Sequence, residues 1–246
     1  MNDRDTSLTP HGSFRSVAHR GEPVGHRENT LPGFRTALEL GADIIETDVK
    51  VTADGEVVLL HDLTLHRLWQ MPQRITALDH DQLAAISTGG ERIPTLAEAL
   101  ELVGPAGAAL LIDMDAPDWA MPSLETVRQA IGSGMITPDQ AIWCGRYEAL
   151  AAIRGADPQA RIILSWDESD GHGQLPPDAM IEELAPEAFN PHWPMLDDRL
   201  LGWIDERGLA SCCWTVDDDT VMRQLLDRGI TAMITNRIGR LQELRG

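Results

Sequence analysis

Short runs of β-branched and aliphatic residues alternate along the chain with stretches in which apolar residues recur every three or four positions. The first kind of run predicts strands and the second amphipathic helices, because a strand repeats its faces every two residues and a helix every 3.6. Strands are predicted at Phe14 to Ala18, Ile44 to Val51, Ala108 to Met114, Ala141 to Cys144, Arg161 to Trp166, Ala188 to Asn190, Ala210 to Val216 and Ala232 to Thr235. An apolar-periodic segment follows each, so the chain reads as eight β-then-α pairs. Helices are clearest over Thr30 to Leu40, where Thr30 can cap and Gly41 terminate, over Thr95 to Leu102, and over Asp218 to Arg228, ended by Gly229. Such alternation predicts an α/β protein with a parallel sheet. Eight repeats fit a single closed (β/α)8 barrel better than an open doubly wound sheet, and no GxGxxG follows the first strand to suggest a dinucleotide. The second unit is enlarged: Asp54-Gly55 signals a turn, Val57 to His61 a returning strand, and a long irregular stretch follows. The expected organisation is a flexible N-terminus over residues 1–12 and a barrel domain over 13–246, with an insertion after strand two at roughly 52–92.

Composition narrows the function. A chain of 246 residues with 43% hydrophobic content can bury one large core. A net charge of -19 repels nucleic acid and anionic membrane surfaces, so neither is expected as a partner. The start MNDRDTSLTPHG has no apolar signal region and no run of 18 apolar residues occurs, so no membrane span is expected and the cytoplasm is the default location. Cys144, Cys212 and Cys213 make neither an even set nor a CxxC pair and are expected as small buried apolar residues. Lys50 is the only lysine. Oligomeric state is not readable.

Active sites of such barrels form at the C-terminal ends of the strands, which gives polar residues there special weight. His19-Arg20-Gly21 directly follows strand one, His61-Asp62 ends the returning strand, and Asp113 lies near the end of strand three. Glu46 and Asp48 lie two apart on strand two, so the pleat points both carboxylates into the barrel. No lysine or arginine is expected to share that face, so the pair repels itself, and a hard divalent cation such as Mg²⁺ or Ca²⁺ is the usual solution. Alone, a Glu-x-Asp on a strand is explained as simply by pairing with arginines. Two neighbouring histidines shift the balance towards chemistry, since imidazole takes and gives protons near neutrality.

At these residues the chain resembles the glycerophosphodiester phosphodiesterase family. The stretch AHRGEPVGHRENTLPGFRTALELGADIIETDVKVTADGEVVLLHD is similar to that family's opening block of HRG, ENT, a GAD-x-IE-x-DV strand, T-x-DG and a final HD. RIPTLAEAL, CCWTVDD and MITNR resemble later blocks in the same order. The resemblance implies a barrel enzyme that hydrolyses a small-molecule glycerophosphodiester to glycerol 3-phosphate and an alcohol with the help of a divalent metal. It implies that His19 and His61 are the catalytic acid/base pair, that Glu46, Asp48 and Asp113 hold the metal, that Arg20 contacts phosphate, and that Trp214 lines the pocket. Other substrates of the same chemistry, a lysophospholipid for instance, and a weakly catalytic phosphate-binding barrel are the alternatives.

The chain departs from that pattern on its third strand. The family reads glutamate, any residue, lysine, and the lysine helps to bind phosphate; here the strand reads Asp113-Met114-Asp115. Arg146, immediately after strand four, is the candidate to supply the missing charge, and a second metal at Asp115 is a less favoured idea. The HD block lacks the family's threonine-rich continuation, and Asn236 follows Thr235 where aspartate is common. Trp69, Trp119, Trp166, Trp193 and Trp214 fall at or beyond predicted strand ends, which places indoles around the mouth, although rim packing explains any one of them equally well. His192 lies within reach of substrate but is more simply a solvated residue. His11, His26, His66, His80 and His172 are assigned no role.

Overall fold

The computed structural model describes residues 5–245, less the side chains at 171 and 172, so His172 lies outside the described residues. Strands are β1 (Arg15–His19), β2 (Ile44–Val51), β3 (Val57–Leu59), β4 (Ala109–Met114), β5 (Ala141–Gly145), β6 (Arg161–Trp166), β7 (Ala188–Pro191), β8 (Ala210–Ser211) and β9 (Ala232–Thr235). Helices are α1 (Leu31–Glu39), α2 (Leu96–Val103), α3 (Ala120–Gly132), α4 (Tyr147–Ala156), α5 (Asp178–Leu184), α6 (Asp198–Glu206), α7 (Asp219–Asp227) and α8 (Ile238–Arg245). Among the described residues the order across the sheet is β8-β7-β6-β5-β4-β2-β1-β9, every neighbour parallel, with β3 paired antiparallel to β2.

The barrel closes through the seventh predicted strand, which is regular only at Ala210–Ser211 but stays extended beyond it. Thr231 N–H donates to Ser211 O, Ile234 N–H to Cys213 O and Val216 N–H to Ile234 O, at 2.8 to 3.0 Å. No edge is then left to solvent between β8 and β9.

Period-2 alternation sorts the strand residues into two cores. The lumen is filled by Val17, Ile44, Ala109, Leu111, Ile142, Ile163, Ala188, Ala210 and Ala232, and the opposite faces pack on the helices through residues such as Ile45, Leu110 and Ile112. Continuing each inward row turns apolar into polar: Ile44 leads to Glu46, Asp48 and Lys50, Leu111 to Asp113, and Ile163 to Ser165. The polar end is the C-terminal mouth, where such barrels carry their chemistry.

Local signals mostly hold. Thr95 and Glu98 form a reciprocal capping box on α2, and Asp218 caps α7 by accepting from the Thr220 and Val221 amides. Thr30 occupies the cap position of α1, but its hydroxyl donates to Arg27 O at 2.6 Å instead of accepting from the helix. The N-terminal segment differs from the flexible lead-in expected over 1–12. Residues 1–4 lie outside the described residues, but from Asp5 onward the chain packs: Arg15 pairs with Asp5, Arg161 donates to Thr6 O, and Leu8 is buried in the lumen cluster. A lumen lined at its base by alanines leaves space that Leu8 occupies.

The irregular stretch after β3 folds as a satellite with its own small core of Val58, Leu60, Leu65, Trp69, Ile75, Leu83 and Ile93. It holds short helices at His66–Trp69 and His80–Ala84 and a ribbon of Ser87–Thr88 with Glu91–Arg92.

Candidate active site

Strand β2 is long enough to serve two partners. Its first part pairs with β1 and β4, bringing Glu46 opposite His19 and Asp48 opposite Asp113; its last three residues pair with β3. The chain reverses at Asp54-Gly55, where φ is +92° at Gly55, and returns so that Leu60 N–H donates to Asp48 O at 3.0 Å. His61, the next residue, is thereby delivered to the mouth. Carboxylate oxygens of Glu46, Asp48 and Asp113 lie within 4.8 Å of one another. They share a cavity of about 290 Å³ with His19, Arg20, Lys50, His61, Asp115, Arg146 and Trp214.

Two of the three carboxyls, Glu46 and Asp113, are costly to ionise. Burial, then the Asp48 carboxylate, pushes Glu46 well above the usual carboxylate range. The same two causes push Asp113 up to about 6. Oxygen donors this close, partly desolvated and mutually repulsive, fit a hard divalent cation. Asn29, in the left-handed region at φ 57°, steadies the set: its amide N–H donates to Asp48 Oδ2 at 2.8 Å and its Oδ1 accepts from the Thr47 hydroxyl at 2.7 Å.

Arg20, also left-handed at φ 57°, folds its backbone N–H onto Glu46 Oε2 at 3.0 Å. Its Nη1 donates to Glu28 and its Nε lies 3.0 Å from Asp48 Oδ2, though not aligned to donate. Nη2 has no protein partner among the described residues.

The two imidazoles sit differently. His19 Nδ1 is 2.8 Å from Asn236 Oδ1, and Asn236 is itself held by Asp217, which accepts from its side-chain and backbone N–H groups at 2.7 and 2.8 Å. An amide oxygen can only accept, so Nδ1 carries the proton and Nε2, 3.9 Å from Glu46 Oε2, offers a lone pair. Burial, then the Arg20 charge, lowers the His19 pKa and keeps the ring neutral. His61 is 47% exposed, with Nδ1 2.6 Å from Asp62 Oδ1. The Arg67 guanidinium donates to both Asp62 oxygens and holds that carboxyl down at about 2.

The third strand corrects the charge picture drawn from sequence. Lys50 shares the inward face of β2 with Glu46 and Asp48, so the face does carry a cation. Asp115 does not stand free: its Oδ1 forms an ion pair with Lys50 Nζ at 3.1 Å and accepts a hydrogen bond from Trp119 Nε1 at 2.7 Å. It lies outside the carboxylate cluster, which removes the ground for a second metal there. Arg146 lines the cavity and is 58% exposed, with Nη1 on Asp170 Oδ1 at 3.1 Å.

Trp166 and Trp214 line the cavity; Trp119 is buried behind Asp115, Trp69 belongs to the satellite core, and Trp193 packs on the outer core. Trp214 is fixed by Nε1 donating to Asn190 O at 3.0 Å, with the His192 ring 5.3 Å away. His192 faces Glu168 at 3.1 Å. All three cysteines are buried and free, and Cys144 lies beneath the carboxylates with its thiol pushed up by burial.

A (β/α)8 barrel whose mouth gathers three carboxylates, two imidazoles and a buried guanidinium falls in the class of phosphoric diester hydrolases. Within that class, residues 19–240 match the glycerophosphoryl diester phosphodiesterase family, and the chain belongs to it. It is 27% identical over 229 residues to a glycerophosphodiester phosphodiesterase of Caldanaerobacter subterraneus subsp. tengcongensis, covering 89% of this chain and 93% of that one. A Bacillus subtilis glycerophosphodiester phosphodiesterase is 26% identical over 246 residues, covering 90% and 83%. Two solved structures share the fold. The Oleispira antarctica phosphodiesterase in complex with the product sn-glycerol-3-phosphate has a TM-score of 0.84 at 21% identity, over 94% of this chain and 96% of that one. The Thermotoga maritima glycerophosphodiester phosphodiesterase has a TM-score of 0.78 at 23% identity, over 96% and 100%. No helix among the described residues is long and apolar enough to cross a membrane.

Proposed function

We propose that this enzyme hydrolyses small glycerophosphodiesters to glycerol 3-phosphate and an alcohol, with a divalent cation, Mg²⁺ or Ca²⁺, held by Glu46, Asp48 and Asp113. The observation that carries the proposal is the meeting of that carboxylate cluster with His19 and His61 in one cavity. A bound cation supplies Lewis acidity, offsetting the charge that gathers on the non-bridging oxygens in the transition state. Arg20 offers its unpartnered Nη2 to the same oxygens. Arg146 and Trp214 contact the rest of the substrate from the rim.

His19, neutral with its Nε2 lone pair towards the cluster, suits the role of proton acceptor for the attacking hydroxyl. His61, open to the mouth and oriented by Asp62, suits protonation of the departing alkoxide. Pairing of Asp115 with Lys50 removes the observation that favoured a mere phosphate binder.

Release of glycerol 3-phosphate, followed by coupled oxidation with a dehydrogenase, tests the proposal. Activity that needs added Mg²⁺ or Ca²⁺, and falls about 10³-fold or more in His19→Ala and in His61→Ala, is the expected result. Full activity in both variants, or in excess chelator, would sink it.

A further inference from the structure

Lys50 presents a problem of its own. Its side chain is 1% exposed, it lies on the cavity wall, and its ammonium has only Val49 O at 3.2 Å and Asp115 Oδ1 at 3.1 Å as partners among the described residues. An ammonium has three donors, so at least one is left without a protein acceptor among the described residues. Burying a lysine costs several kcal/mol unless the charge is fully compensated. Here the compensating carboxylate is itself 49% exposed and shared with the Trp119 indole.

The placement follows from strand register. Asp48 of β2 lies opposite Asp113 of β4, and the next inward residue along each row is Lys50 and Asp115. The cation therefore stands one layer above the carboxylate cluster, between it and the mouth. Trp119 anchors Asp115, and Asp115 in turn fixes the ammonium. A spare donor on a fixed cation in this layer matches an anionic oxygen of a ligand seated on the cluster.

We propose that Lys50 is a substrate-binding residue: its free N–H contacts a non-bridging oxygen of the phosphate group, and Asp115 is the positioning residue that aims it. This rests on the phosphodiester reading above for the identity of the ligand. A cation needed only to balance Asp115 would be dispensable once Asp115 is neutral, whereas a phosphate contact would not be.

The test is calorimetric titration of the full chain with sn-glycerol 3-phosphate in Mg²⁺ buffer, with turnover measured in parallel. Four proteins are compared: wild type, Lys50→Met, Asp115→Asn, and the double variant Lys50→Met/Asp115→Asn, which removes both charges and so guards against misfolding of the single change. Lys50→Met is expected to weaken binding roughly 30-fold or more and to lower kcat/KM about 10²-fold, and the double variant is expected to remain as weak. Asp115→Asn is expected to change binding only a few-fold. Wild-type affinity in Lys50→Met, or its recovery in the double variant, overturns the proposal, as does a wild type that does not bind glycerol 3-phosphate. A wild type that binds the ligand yet cleaves no glycerophosphodiester defeats the proposed function instead, and the Lys50 comparison is still read from binding.

Discussion

Arg67 Nη2 lies 2.6 Å from Glu28 Oε1, and that contact joins the two halves of the mouth. Glu28 also receives Arg20 Nη1, while the other edge of the Arg67 guanidinium grips Asp62, the residue that orients His61. One side chain from the satellite thus braces Arg20 and His61 together. A planar fork with five fixed donors can do this; an ammonium cannot. Arg67→Lys and Arg67→Ala are both expected to lower kcat about 10- to 100-fold while leaving the melting temperature nearly unchanged, since the side chain is 45% exposed. Wild-type kcat in Arg67→Ala would show that the brace is idle.

Asn236 sets the state of His19, and a single exchange reports on it. With an amide at Nδ1, burial and the Arg20 charge keep the folded-state pKa of His19 below the usual imidazole value, so the basic form persists as pH falls. If His19 is the proton acceptor, the acid limb of kcat/KM lies below that value. Asn236→Asp places a carboxylate on Nδ1, favours the imidazolium, and is expected to move the limb upward by about one pH unit. A pH profile with an unmoved limb would separate His19 from the base role.

If the carboxylate cluster holds the proposed cation, its affinity for the ion and the stability of the protein both depend on pH. Glu46 and Asp113 have folded pKa values above their unfolded ones, the second at about 6 against 3.8. The sign is that of a raised pKa: the stability that Asp113 contributes is fully present below about 4 and is lost as pH rises through about 6, and Glu46 acts in the same direction. Metal-free protein is therefore expected to melt at a lower temperature at pH 7.5 than at pH 5.5, and added Mg²⁺ or Ca²⁺ to stabilise it much more at the higher pH. Scanning calorimetry with chelator and with metal checks both; equal stabilisation at the two pH values would contradict the linkage.

Neutralising one member of the cluster should separate stability from function. Glu46→Gln is expected to raise the melting temperature of the metal-free protein at neutral pH, because a carboxyl whose ionisation burial and Asp48 oppose is replaced by a neutral amide, and to weaken Mg²⁺ or Ca²⁺ binding at least about 10-fold. Isothermal titration with the metal alone reads the second effect. Unchanged affinity would remove Glu46 from the ligand set.

Gly145, at the end of β5 with φ +115°, has no room for a side chain. A Cβ there would lie 2.2 Å from Met114 O and 2.7 Å from Asp113 Oδ1. Gly145→Ala is expected to cost more than about 2 kcal/mol and to spoil the Asp113 geometry, so urea denaturation and metal titration should both register it.

The barrel and the heart of its mouth could be read from the chain because their signals are local. Period-2 alternation marked the inward faces, the His19-Arg20-Gly21 turn followed directly on a strand, and Glu46 and Asp48 had to share a face. Lys50 had to share it too, since it follows Asp48 by the same step of two, and that much lay in the sequence. Its partner did not. Pairing Lys50 with Asp115 depends on the stagger of β2 against β4, which the packing of the whole barrel sets and no local pattern encodes. The same holds for Asn236 behind His19, for Arg67 between Glu28 and Asp62, and for Leu8 in the lumen. Sequence determined which groups face inward, because that is a property of one strand; tertiary structure decided which of them meet, because that is a property of neighbouring strands and of the loops they carry.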